Sequence, residues 1–72
     1  MVAVDMYARF IPSHLVRAFM TTEEKVEATV RGHIVYVNYA HKYFTVEYER
    51  GGMTYKESFN FTDCGKSVHV RG

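Results

Sequence analysis

The chain has 72 residues, of which 47% are apolar and 15% aromatic, and nine Lys plus Arg oppose eight Asp plus Glu for a formal charge of +1. That length holds one domain with one core, the aromatic content excludes a disordered chain, and the balanced charge argues against a protein that coats DNA through a long-range field. A single Cys excludes an internal disulfide, no Cys/His spacing matches a structural zinc site, and the longest apolar runs, such as Ile34 to Val37, are too short for a membrane-spanning helix.

In chain order, Ala3, Met6, Tyr7 and Phe10 lie at helical spacing until Pro12 disfavours helix at Ile11, so residues 1–22 read as a helical N-terminal segment. A second helical turn starting at Ser13 places Leu15, Ala18 and Phe19 on one side. Neither piece is long enough to be stable alone, so both need a sheet to pack on. Thr21 and Glu24 have capping-box spacing, and a helix over Thr22 to Ala28 therefore competes with a strand in which Val26, Ala28 and Val30 alternate. Gly32 breaks that alternation ahead of Val35, which predicts a bulge or sharp bend at Gly32 in a long first strand.

A loop centred on Ala40-His41 sets Asn38 against Tyr43, Val37 against Phe44 and Val35 against Val46. Val35 and Val37 then join the apolar face, while Ile34 and Tyr36 fall on the other, where the N-terminal segment or a second copy of the chain must cover them. Gly51-Gly52 next separates two strand-like runs at the length of a tight hairpin. A two-residue loop there pairs Arg50 with Met53, Tyr48 with Tyr55, Glu47 with Lys56, Val46 with Glu57, Thr45 with Ser58 and Phe44 with Phe59. This register gathers Phe44, Val46, Tyr48, Tyr55 and Phe59 on one face and Thr45, Glu47, Lys56 and Ser58 on the other. Asp63 and Gly65 then mark a turn, and Val68 and Val70 alternate with Ser67, His69 and Arg71 in a short closing strand.

The expected fold is mainly β (α+β): a small barrel or strongly curved antiparallel sheet over residues 25–72, with the helical N-terminal segment packed on it. From Lys25 to Gly72, the runs Val30-Arg31-Gly32-His33-Ile34-Val35, Tyr43-Phe44-Thr45-Val46-Glu47-Tyr48 and Asp63-Cys64-Gly65-Lys66-Ser67-Val68 resemble the Src-homology-3-like and KOW-type small barrels. They are also similar to short uncharacterised proteins of phages and mobile elements of Gram-positive bacteria. The resemblance implies an accessory factor of such an element. The acidic cluster and Trp used by peptide-binding Src-homology domains are missing, so proline-rich ligands are not implied.

Among side chains that carry chemistry, Cys64 is the only strong nucleophile. Beside Asp63, with Lys66 its nearest cation in sequence, it reads as a half-buried turn residue. His14, His33, His41 and His69 have no ligand spacing among themselves or with Cys64; His33 is expected to face Tyr48 and His69 to point outward. Glu57 falls on the apolar face between Tyr55 and Phe59 and must find a partner, such as a tyrosine hydroxyl or a backbone amide. Tyr39, His41, Lys42 and Tyr43 form an aromatic and basic loop, which Arg31 and Lys56 are candidates to join as a binding site and which Lys66 and Arg71 could also surround.

With no grouped acid, base and nucleophile, the function expected is that of a small non-enzymatic binding protein without a cofactor. The small size and the resemblance to phage and mobile-element proteins imply that it occludes a larger host protein, such as a defence nuclease, in the manner of an anti-CRISPR inhibitor, and a cytoplasmic location is expected; a nucleic-acid-binding small barrel is the alternative. The lone cysteine and the absence of a charged-then-apolar leader after Met1 point to the cytosol.

Overall fold

Gly51 and Gly52 both carry positive φ, 60° and 80°, the backbone that a tight two-residue hairpin turn requires. They join β3 (Tyr43–Arg50) to β4 (Met53–Asn60), and all six pairings expected from the alternation, Arg50–Met53 through Phe44–Phe59, are present. Upstream, a four-residue turn from Tyr39 to Lys42 connects β2 (Val30–Asn38) to β3, with Asn38 opposite Tyr43 and Val37 opposite Phe44. The computed structural model, which describes residues 2–72, is mainly β, with all five strands in one open antiparallel sheet of order β4-β3-β2-β1-β5.

The remaining two strands correct the reading of the N-terminus. Tyr7–Phe10 is β1, paired on one side with β2 and on the other with β5 (Val68–Arg71), so the segment expected as helix is an interior strand. Its alternation is plain in burial: Tyr7 and Arg9 are exposed, whereas Ala8 and Phe10 are buried. Two hydrogen-bonded neighbours outweigh a helical spacing that spans barely two turns. The second expected helical turn survives only as a 3-10 turn, Ser13–Leu15. The capping box is real: the Thr21 hydroxyl accepts from the Glu24 amide at 3.1 Å, and the Glu24 carboxylate accepts from the Thr21 amide at 3.0 Å. The competing helix therefore wins, as α1 (Thr22–Ala28), and no strand runs through Val26 and Ala28.

The bulge in β2 lies three residues beyond Gly32. Pairing runs from Ile34–Val46 directly to Tyr36–Thr45, leaving Val35 as the extra residue. A one-residue slip exchanges the faces of a strand, so the expected Val35–Val46 pair is replaced by Ile34–Val46. Ile34 is fully buried in the core, and Val35 and Tyr36 are exposed. Ile34 thus needs no second copy to cover it. Gly32 marks instead a close approach of two strands: a Cβ there would stand 2.5 Å from Val46 Cγ1 and 2.6 Å from the Glu47 carbonyl oxygen.

The core shows how far the sheet coils. β1 and β4 are separated by two strands, a path of about 14 Å at the usual interstrand spacing, yet the Phe10 and Phe59 ring centroids are 4.9 Å apart. Phe10 also meets Tyr48 edge-on at 5.2 Å. Ala8, Ile34, Phe44, Val46 and Val68 complete the interior of this trough. Glu57 bridges its mouth, accepting hydrogen bonds from the Ser13 amide at 3.1 Å and the Ser13 hydroxyl at 3.4 Å. The partner its position demanded is a backbone amide at the start of the 3-10 turn.

Candidate functional site

The loop and cations singled out from sequence are spread over the molecule. Tyr39 is 57% exposed, but its hydroxyl donates to the Val2 carbonyl at 2.8 Å and its ring lies edge-on to Phe61, so it also tethers the N-terminus. Tyr43 is half-buried against Tyr36, with ring centroids 5.9 Å apart. His41 and Lys42 are exposed; the His41 amide donates to the Asn38 side chain, and Lys42 holds φ 58° while its carbonyl accepts from the Phe61 amide. Arg31 sits near the opposite end of β2 from this loop, and Lys56 lies mid-strand on β4 across from Glu47. Three of the six residues thus share one loop, Tyr43 opens the strand that follows it, and Arg31 belongs to a different cluster.

That cluster is set by strand parity. Tyr7 and Arg9 on β1, Arg31 and His33 on β2, and His69 and Arg71 on β5 are all exposed and fall on the outer face. Register places Arg9 directly between Arg31 and His69, and Tyr7 directly between His33 and Arg71. The Tyr7 ring stacks on His33 at 4.4 Å and carries the Arg31 guanidinium 4.0 Å from its centroid. His33 pairs with Glu47 across β2 and β3; the bulge has moved it off the Tyr48 position expected for it. Like charges placed opposite one another across strands destabilise a sheet. None of these arginines has a carboxylate within ion-pair distance, since among the described residues the one ion pair joins Arg17 to Glu24.

A groove beside β5 continues this surface. Arg9, Lys25, Lys66, His69 and Arg71 line it, no Asp or Glu does, and its apolar lining includes Ile11 and Val16. Sequence reasoning named Lys66 and Arg71 only as cations that could surround the loop, and passed over Arg9 and Lys25 because it weighed total charge and one loop. The available signal was the repeated i, i+2 pair of an aromatic or cationic residue in three strands: Tyr7 with Arg9, Arg31 with His33, and His69 with Arg71.

A second exposed feature is the excursion from Ile11 to Thr29 that links β1 to β2. Arg17 pairs with Glu24, and this contact, after the Thr21 backbone hydrogen bond, holds the Glu24 carboxyl below its ordinary range. Phe19 projects from the excursion almost fully into solvent, accompanied by Val16 and Val26.

Cys64 is half-buried in the turn after β4, where burial pushes its thiol up from its ordinary range and Asp63 adds to the effect. Its thiol is accordingly expected to react with iodoacetamide at pH 7 more slowly than free cysteine, and Cys64→Ser to change unfolding free energy by about 1 kcal/mol or less in denaturant titration. Among the described residues no three of His, Cys, Asp and Glu gather at metal-binding distance, and no helix is long and apolar enough to cross a membrane. Comparison with protein-family models, curated proteins and solved structures finds no match to this chain.

Proposed function

We propose that the chain is a small non-enzymatic binding domain that works by covering the surface of a larger cytosolic protein, with the excursion between β1 and β2 as its anchor. The carrying observation is Phe19, 92% exposed, with Val16 at 58% and Val26 at 70% on the same excursion. Phe19 is the most exposed large apolar side chain among the described residues, and aromatic side chains are enriched in protein interfaces relative to the rest of the surface. The capping box and the Arg17–Glu24 pair hold the segment in shape before binding, which lowers the ordering cost of association.

The coiled sheet of order β4-β3-β2-β1-β5 supports placing the chain among the small Src-homology-3-like barrels. Small size and the likeness to phage and mobile-element proteins suggest a host defence nuclease as one partner, inhibited by occlusion. The Tyr39–Tyr43 loop is a secondary contact in this reading.

Phe19→Ser is expected to leave the unfolding midpoint essentially unchanged, because the side chain touches little. Loss of the anchor costs about 2 kcal/mol or more, roughly thirty-fold in affinity. Affinity capture from a nuclease-treated cytosolic lysate, comparing the natural chain with the folded variant, should show proteins retained by the first and lost by the second. Equal capture by both would remove the excursion from the interface.

A further inference from the structure

Beyond that reading, we infer that the outer face of β2, β1 and β5, with the groove beside β5, is a binding site for single-stranded nucleic acid. Arg9, Arg31 and Arg71 stand on adjacent strands about 4.8 Å apart, with His69 flanking Arg9 and Lys66 and Lys25 on the groove. The arrangement sets Arg9 against Arg31 without a compensating carboxylate, although Glu47 and Glu49 lie on β3 at the margin of the face. A sheet that served only to fold would be more stable with one of these arginines neutral or acidic. An array of unpaired guanidiniums is what a row of phosphates requires, since each guanidinium presents a planar fork of donors to phosphate oxygens.

The ligand is identified by what lies among the cations. Tyr7 lies between His33 and the Arg31 guanidinium within the array, which leaves the exposed His33 imidazole as its flat surface, and Ile11 and Val16 give the groove an apolar lining on which bare bases can lie. An acidic peptide would use the charges alone, and a duplex keeps its base faces hidden. A single strand uses both the cations and the flat surfaces. The formal charge of +1 is compatible with this site, because Glu23, Glu24 and Glu27 are on α1, while Glu47 and Glu49 border the array only on its β3 side, beside His33 and Arg31.

The test is fluorescence anisotropy with a labelled oligothymidylate of about twelve nucleotides, within the site sizes usual for one small barrel. With about five phosphate contacts, affinity should fall about a hundredfold between 50 and 200 mM salt. The combined variant Arg9→Gln, Arg31→Gln, Arg71→Gln should lose most of the binding and flatten the salt slope by about two. Lys56→Gln, on β4, and Phe19→Ser, on the excursion, should bind as the natural chain does, which separates this site from the Phe19 anchor even though Val16 borders both. Chemical-shift changes in the natural chain on adding oligonucleotide should centre on Tyr7, Arg9, Arg31 and His69, a readout that stands even if the combined variant fails to fold. Absence of saturable binding at 50 mM salt, shifts confined to other faces, or tighter binding of polyglutamate than of the oligonucleotide at this face would overturn the assignment.

Discussion

Gly32→Ala is expected to destabilise the fold by about 3 kcal/mol in chemical denaturation, at the upper end of what overpacking usually costs. The sign runs against propensity, since alanine in place of a strand glycine ordinarily gains about 0.5–1 kcal/mol. Here the new methyl would stand 2.5 Å from Val46 Cγ1, 2.6 Å from the Glu47 carbonyl oxygen and 3.1 Å from Tyr48 Cβ. The carbonyl belongs to β3 in the middle of the sheet, and it cannot retreat without moving β3 against β4 as well. Total stability for a chain of this length is about 4–11 kcal/mol, so Gly32→Val should leave little folded protein. If Gly32→Ala were as stable as the natural chain or more so, β2 and β3 would not approach each other as described.

Phe44→Ala is expected to cost about 3–5 kcal/mol by the same measurement, through lost burial and the cavity left behind. Phe44 is fully buried on β3, opposite Phe59 on β4 and Val37 on β2, with ring centroids 5.8 Å from Phe59 and 6.2 Å from Phe61. Those neighbours are fixed by sheet pairing, which limits collapse into the vacated space. Phe44→Leu, which keeps much of the volume, should cost less than about 1.5 kcal/mol. Equal losses for the two variants would mean that the ring's shape matters more than the space it fills.

The parts of this fold that were legible in the sequence are those specified locally. The Gly51-Gly52 turn and the sorting of Phe44, Val46 and Tyr48 from Thr45 and Glu47 determine a register without help from distant residues. The Thr21–Glu24 box announces a helix start in the same way. What could not be read was set by partners far along the chain. Phe10 satisfies a helical spacing with Met6 and Tyr7 and a strand alternation with Ala8 equally well; only pairing with β2 and β5 decides between them. The break in β2 was legible as a break, but a glycine made Gly32 its obvious place, whereas the extra residue is Val35. Ile34 changed faces in consequence.

The candidate site divides along the same line. The Tyr39–Tyr43 loop is contiguous and stood out at once, yet Tyr39 and Tyr43 each also have a structural neighbour. Arg31 and Arg71 stood out only as cations that could surround that loop and Arg9 not at all, because the three come from distant parts of the chain and are brought together by β1. A formal charge summed over all residues could not show that cations collect on one face. The exposure of Phe19 was hidden by its helical spacing with Leu15 and Ala18, which suggested a packed face where the chain instead runs into solvent.

Both proposed surfaces depend on β1 being an interior strand: it turns Tyr7 and Arg9 outward between β2 and β5, and it makes residues 11–29 an excursion joining two strands. Nuclear Overhauser contacts in an isotopically labelled sample test this most directly. The fold described here predicts cross-strand contacts from Arg9 to Arg31 and to His69, and ring contacts from Phe10 to Phe59 and Tyr48. A continuous series of helical contacts from Ala3 to Phe10, with none to β5, would contradict it and remove the basis of both surfaces.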